Sequence, residues 1–415
     1  MPLFSLDESS VSLWMTASSG TEACVKRELA RLGYEAPPFV EGRGELMGTW
    51  KDVARLNIHL AVGDRVLLRL GEFPHVKDFD TLFELVHSYP WPILLPFDAQ
   101  VTLWVKSIQS QLSSLRTVQS VADKAIVQRM QEHYHTRQRL PKSGARYQIE
   151  LRLVQDTLTL SLNTSGPGLN RRSYRAASGD APLRETLAAA MLDLSFWKPG
   201  RPLLDCFTGS GTILIEAARR ARKIAPGLQR DFDFAHWTWP GFPEFQGKQL
   251  LEEARREAQA DIVSTQEAGL DLTGYEIDPE VCEVALHNAK LAGVAEDIHF
   301  VAEDFRMADF SRPGTVIISN PPYGERLGKV AEVIKMMRFL GERLRENPYL
   351  SLYLLTDDTF LEREIGRKAD KRRKLYSGNK EVTFYCFASA KVPPKEPTEA
   401  ISAEPEKQDK LEDPE

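Results

Sequence analysis

Four short runs place acids, amides, glycines and aromatics at the ends of apolar stretches, where side chains can do chemistry. Residues 203–218 read LLDCFTGSGTILIEAA. An apolar strand ends at Asp205, a small-residue loop follows with Gly209, Ser210 and Gly211, and a helix begins near Thr212. Glycines there let backbone approach a ligand at the carboxyl end of a strand. The loop lacks the Lys-Ser/Thr of a phosphate-binding P-loop and does not match G-x-G-x-x-G. A tight turn without a ligand is the plainer reading of that run alone. In the second run, Gly274-Tyr275-Glu276-Ile277-Asp278-Pro279, a strand-end carboxylate suits ribose hydroxyls, and Glu276 is the candidate. Asp278 before proline reads as a helix N-cap. The third run, Val301-Ala302-Glu303-Asp304-Phe305, offers Asp304 as acceptor for an exocyclic amine and Phe305 as a stacking ring. Seen alone, the run reads by default as a surface acid beside a core phenylalanine.

The fourth run is the sharpest: Ser319-Asn320-Pro321-Pro322-Tyr323-Gly324 after the apolar residues 316–318. Proline fixes φ and keeps the preceding residue extended. An amide oxygen and a carbonyl are thereby presented rigidly beside an aromatic, which suits a planar amine.

The elements that must position these runs follow from periodicity. Residues 12–16 and 65–73 read as strands, 20–32 and 50–62 as helices, a small α+β module over residues 1–70. Helices at 78–89 and 113–133, a strand at 101–107, and a hairpin of 147–153 with 157–163 turning near Gln155 and Asp156 make a second module, 71–163. Residues 164–180, rich in Gly, Ser and Arg, read as a linker. After a helix at 183–194, strand-like runs at 202–206, 270–277, 298–302, 316–319, 350–356 and 381–387 alternate with helices, the pattern of a mostly parallel α/β sheet over residues 181–391. The last runs are candidates for antiparallel pairing at one edge. Residues 392–415 are nearly devoid of apolar side chains and read as a disordered acidic tail.

Composition narrows the class. The chain has 415 residues, 42% of them hydrophobic, with no apolar run of membrane-spanning length. No signal peptide is read at the amino terminus. Four scattered cysteines, Cys24, Cys206, Cys282 and Cys386, predict a reducing cytoplasm with neither disulfide nor zinc. His133 and His135, two apart on a helix, face different sides, so no metal site is expected. The formal charge is −6, but the tail's eight acids and three lysines account for −5, leaving a nearly neutral body. An acidic total therefore does not exclude nucleic acid.

In their order, the four runs resemble the class I S-adenosylmethionine-dependent methyltransferases that act on amino groups. The stretch from Leu169 to Arg175 (LNRRSYR), the run 181–188 (APLRETLA) and the ending Asn320-Pro-Pro-Tyr-Gly-Glu-Arg-Leu-Gly328 resemble bacterial THUMP-domain RNA methyltransferases, nearest to the group acting on guanine N2 of 23S rRNA. The likeness covers residues 5–390. It implies an amino-terminal ferredoxin-like domain, a THUMP domain and a Rossmann-like catalytic domain with a seven-stranded, mostly parallel sheet. It implies S-adenosyl-L-methionine as cofactor, held by Asp205, Phe207, Gly209, Gly211, Thr212, Glu276, Ile277, Asp304, Phe305 and Asn320. It implies Asn320, Pro321, Pro322 and Tyr323 as the catalytic loop, with Tyr323 stacked on a flipped base. The loop departs from the commoner family pattern at Cys206 and Thr208. Arg171, Arg172, Tyr174, Arg175, Lys142 and Arg146 are the expected RNA contacts, and 23S rRNA or an assembling large ribosomal subunit the expected partner, without membrane or metal. The basic run from Arg367 to Lys374 is either RNA-facing or simply solvated. A tRNA guanine-N2 enzyme, a DNA adenine-N6 methyltransferase and a noncatalytic RNA-binding assembly factor are the alternatives.

Overall fold

A computed structural model of the chain describes residues 10–35, 37–175, 183–322 and 329–390. The expected tail, 392–415, lies outside them, as does Tyr323. The amino-terminal half runs β1 (Val11–Thr16), α1 (Glu22–Arg31), β2 (Phe39–Val40), β3 (Arg43–Gly48), α2 (Trp50–His59), β4 (Arg65–Phe73), α3 (Phe79–Ser88), α4 (Trp91–Leu94), β5 (Gln100–Ile108), α5 (Leu115–His133), β6 (Arg146–Val154) and β7 (Thr157–Asn163).

Local chemistry sets these limits. Thr49 and Asp52 cap α2 reciprocally, each side chain accepting the other's backbone N–H. Asp78 caps α3 through the Thr81 N–H at 2.7 Å. Gln155 and Asp156, at φ 47° and 62°, form the two-residue turn whose twist suits a β-hairpin.

The two expected modules share one sheet of order β2-β3-β1-β4-β7-β6-β5. β4 is its hinge strand, pairing antiparallel with β1 (Leu13 opposite Leu68) and with β7 (Leu67 opposite Asn163). A boundary at residue 70 therefore cuts through a continuous strand. β2 and β3 escape the sequence reading because they are short and alternate weakly.

The carboxyl-terminal half runs α6 (Glu185–Leu194), β8 (Leu203–Asp205), α7 (Thr212–Ala221), α8 (Gly247–Ala260), α9 (Thr265–Ala268), β9 (Leu272–Tyr275), α10 (Pro279–Leu291), β10 (His299–Val301), β11 (Val316–Ser319), α11 (Lys329–Glu346), β12 (Ser351–Thr356), α12 (Leu361–Ile365), β13 (Lys371–Ser377) and β14 (Lys380–Phe387). Its sheet has the order β10-β9-β8-β11-β12-β14-β13. The first five strands are parallel, and β14 and β13 add antiparallel. The expected Rossmann-like α/β sheet is present. β13 is an edge strand, and its Lys371-Arg372-Arg373-Lys374 run, all exposed, carries no apolar alternation to announce it.

The expected linker is not loose over its described part, 164–175. Arg230, on the loop after α7, donates to the carbonyls of Gly168 (2.7 Å), Pro167 (2.7 Å), Ser165 (3.0 Å) and Arg171 (3.3 Å). Arg172 is 1% exposed. It pairs with Glu216 of α7 at 3.3 Å and donates to the carbonyls of Leu169 (2.7 Å), Leu60 and Ala61. Tyr174, also 1% exposed, donates its hydroxyl to Glu216 at 3.0 Å. Arg172 and Tyr174 are thus corrected from RNA contacts to an interior clasp between the halves. Trp237 and Trp239 pack in the same junction, Trp237 stacked on Tyr147 and Trp239 edge-on to Trp50.

Removing one partner of a buried ion pair strands the other charge, which costs about 3–5 kcal/mol. Arg172→Ala should lose about that much stability in denaturant unfolding, whereas the exposed neighbour change Arg171→Ala should stay within about 0.5 kcal/mol. Equal, small losses in both would refute the clasp.

Candidate active site at the strand-order reversal

In the carboxyl-terminal sheet, β9 and β10 step away from β8 on one side and β11 and β12 on the other. Such a reversal opens a crevice at the carboxyl ends of the strands. Asp205, Glu276, Asp304 and Asn320 all end or follow strands at that rim, as their sequence positions led one to expect.

Asp205 closes β8 and is 1% exposed. Its Oδ1 accepts from Ser319 Oγ at 2.8 Å and from the Phe207 N–H at 3.2 Å. Its Oδ2 is buried with no hydrogen-bond partner among the described residues. Burial, opposed by those hydrogen bonds and reinforced by the nearby Glu276 charge, pushes the carboxyl up to about 7. Ser319 also accepts the Cys206 N–H at 2.9 Å, so one hydroxyl ties the end of β11 to the loop after β8. The sequence reading passed over Ser319. Its signal was a small polar residue closing an otherwise apolar strand.

The loop Phe207–Gly211 is cradled from β9 and α10. Thr208 N–H donates to the Tyr275 carbonyl at 3.0 Å and Gly209 N–H to Glu276 Oε2 at 2.9 Å. Asn288, buried on α10, donates to the Ser210 carbonyl at 3.1 Å. Gly209 has φ 52° and no neighbour within 4 Å of where a Cβ would stand, which leaves its backbone open to a ligand. At Gly274 a Cβ would collide with Thr208 and Leu214, so this glycine lets the loop lie on β9. Gly211 opens α7 at φ 82°. Thr212 is buried, and its hydroxyl receives Arg175 Nη2 at 2.9 Å. Arg175 is further held by the Leu183 carbonyl and by Glu185, so it braces the helix start and is not a free RNA contact.

Glu276 is half-buried and also accepts the Asp278 N–H through Oε1 at 3.2 Å. Asp278 caps α10 through the Glu280 N–H at 2.9 Å, as its place before Pro279 implied. Ile277, beside it, is 69% exposed. At β10, Asp304 caps a short turn and is chelated through both oxygens by Arg306, which holds its carboxyl below the usual range. Phe305 departs from the expected stacking role. It is 4% exposed, packed 4.9 Å from Phe207 and 5.8 Å from Phe339 in the core below the rim.

Asn320 and Pro321 follow the fully buried β11, Asn320 half-buried and Pro321 buried, with Pro322 exposed at the rim. Among the expected RNA contacts, Arg171, Lys142 and Arg146 are exposed. In the late basic run, Arg367, Arg372 and Lys374 pair with Asp370, Glu362 and Glu381. Among the described residues no His/Cys/Asp/Glu group is arranged to hold a metal, and no helix is long and apolar enough to cross a membrane.

Residues 172–385 match the family model described as RMKL-like, methyltransferase domain, and residues 12–67 match the RlmL ferredoxin-like domain. A Bacillus subtilis (strain 168) protein named "Putative RNA methyltransferase YpsC" is 35% identical over 94% of this chain and 98% of its own length. A Syntrophotalea carbinolica protein named Ribosomal RNA large subunit methyltransferase K/L is 31% identical over 91% of this chain, a match that spans 53% of that relative. Among solved structures, one described as "SMU.472, a putative methyltransferase complexed with SAH" is 35% identical with a TM-score of 0.83, covering 92% of this chain and 99% of its own. A Listeria monocytogenes protein named a predicted N6-adenine-specific DNA methylase is 38% identical with a TM-score of 0.83, over 92% and 97%. The crevice, its strand-end acids and the Asn-Pro-Pro loop thus sit in a chain that belongs to the RMKL-like methyltransferase family.

Proposed function

We propose that this chain is an RNA methyltransferase that uses S-adenosyl-L-methionine to methylate guanine N2, with 23S rRNA as its substrate. The observation that carries the reading is the rigid Asn320-Pro321-Pro322 turn, set after a buried strand and tied through Ser319 to the acid of the cofactor loop. The relatives' names favour RNA, and one of them large-subunit rRNA. The name of one solved neighbour keeps adenine N6 in DNA as the second reading.

The crevice fits the cofactor. The unpartnered Asp205 Oδ2 offers an acceptor for an ammonium group, and Gly209 leaves room for close backbone approach. Glu276 already accepts from two backbone N–H groups yet keeps lone pairs for ribose hydroxyls. Asp304 serves an adenine amine through lone pairs left beside Arg306. S-adenosylmethionine supplies an electrophilic methyl on a sulfonium. The protein's part is alignment and charge placement, with no strong base required. Asn320 Oδ1 and the Pro321 carbonyl accept the two N–H groups of the target amine. That contact strengthens as the nitrogen leaves the plane of its ring and becomes tetrahedral. Tyr323 stacks on the flipped base. The RNA is met by Arg171, Arg146 and Lys142, and by the exposed Lys368, Lys371 and Arg373 of the late basic run.

Asp205 makes cofactor binding depend on pH. A carboxyl lifted to about 7 in the empty crevice is protonated below that pH, and a bound cation favours its charged form. Binding then releases a proton, so affinity should fall as pH drops below about 7, by up to about tenfold per unit. Titration calorimetry between pH 5 and 8 checks this. Asp205→Asn should flatten the profile, and an unchanged slope in that variant would remove Asp205 from the cation's contacts.

Asn320→Ala should slow single-turnover methyl transfer by roughly 10²–10³-fold, the scale of losing one preorganised polar group. Cofactor affinity and fold should be retained. Normal transfer by this variant would contradict the catalytic assignment.

A further inference from the structure

A small pocket of about 270 Å³ opens beside the catalytic turn, on the side away from the cofactor acids. Pro322, Val333, Thr356, Asp358, Phe360 and Arg363 are among its walls. Its place follows from the sheet. β12 lies parallel to β11, with Ser319 opposite Leu354, so the loop leaving Thr356 runs beside the turn at Asn320. The acids Asp205, Glu276 and Asp304 belong to β8 and the strands beyond it in the other direction. Asn320 therefore stands between a cofactor half and this pocket, as an amine acceptor placed between methyl donor and target base must. A volume just below the range usual for small-molecule sites suits a single base.

The walls are held firmly. Phe360 is 61% exposed, yet it is not loose. The Arg363 guanidinium lies 4.9 Å over its ring, and its N–H is donated to Asp358 Oδ1 at 2.7 Å. Arg363 is fixed in turn by Glu364 at 3.0 Å. Asp358 is fixed by its own N–H on Thr356 Oγ1 at 3.1 Å and by the Tyr385 hydroxyl on its carbonyl at 3.1 Å. One carboxylate oxygen, Oδ1, is thus committed to the turn, and a carboxylate has further acceptor sites to offer.

Guanine and adenine differ at the atom beside their exocyclic amine. Guanine carries an N1–H donor next to N2, and adenine carries an N1 lone pair next to N6. An acceptor beside the amine-binding site therefore rewards guanine and repels adenine. We propose that this pocket receives the flipped target guanine, with Phe360 stacking on its ring and the Asp358 carboxylate accepting its N1–H. The assignment rests on the guanine-N2 reading above and adds the residues that select the base.

The test is single-turnover transfer by the full chain to protein-free large-subunit rRNA from cells lacking the enzyme, with the methylated nucleoside identified by mass spectrometry and cofactor affinity measured alongside. Phe360→Leu should slow transfer by roughly 10–100-fold, the scale of one lost base-aromatic stack. Phe360→Tyr should restore it. Asp358→Asn keeps an oxygen for the Phe360 N–H but turns an amide donor toward N1–H. It should cost a similar factor, as a wrong base-edge contact does. All three variants should bind S-adenosylmethionine as the wild type does. If the wild type makes N2-methylguanosine while Phe360→Leu and Asp358→Asn keep its rate, the pocket assignment falls and the functional reading stands. If the wild-type product is an N6-methylated adenine, both fall. If Phe360→Tyr is as slow as Phe360→Leu, stacking is overturned.

Discussion

The buried pairing of Arg172 with Glu216 is the constraint on which the arrangement of the two halves depends. Glu216 lies on α7, the helix that begins at the glycine loop after β8. Arg172 divides its donors between that carboxylate and the carbonyls of Leu60, Ala61 and Leu169. A buried ion pair contributes little net stability, because desolvation offsets attraction. Its directional hydrogen bonds fix position instead. The amino-terminal sheet is thereby held at a set place relative to the helix that follows the glycine loop. Arg230, with four carbonyls of the connecting segment, adds a second hold on the same crossing.

Within the catalytic half, one hydroxyl has the corresponding role. Ser319 joins the ends of β8 and β11, the two strands flanking the order reversal, by donating to Asp205 and accepting from Cys206. The loop Phe207–Gly211 and the Asn320 turn are thus registered to each other within hydrogen-bond tolerance. Methyl transfer by alignment needs that precision, since small misplacements of reacting atoms are costly. The acids differ in how they are prepared. Asp205 is held in a desolvated place with an open acceptor, and Glu276 is spread over two backbone donors. The two carboxylates are therefore suited to a cation and to hydroxyls respectively.

Much of this was legible in the sequence because it is local. Strand, glycine loop and helix follow one another over residues 203–221, and the N-cap role of Asp278 needs only the proline after it. The catalytic sheet was legible because buried parallel strands are continuous apolar runs. What was missed depends on distant partners. The burial of Arg172 and Tyr174 is decided by Glu216, over forty residues on, and nothing in LNRRSYR distinguishes a clasp from an RNA-facing strip. Phe305 is taken from the site by packing against Phe207 and Phe339, which no periodicity over a three-residue turn can show. β13 was read as a charge run because an exposed edge strand needs no apolar alternation. That β4 runs through residue 70 and joins the two modules in one sheet was not legible, because pairing partners are invisible in a single strand's composition.

The proposed methyl transfer to guanine N2 of large-subunit rRNA is open to direct test. The most direct measurement is a nucleotide-resolution comparison of methylated bases in ribosomal RNA from cells with the protein, without it, and with Asn320→Ala in its place. The expected result is one N2-methylguanosine in 23S rRNA that is present only with the intact protein. An unchanged set of rRNA methylations in all three strains would contradict it.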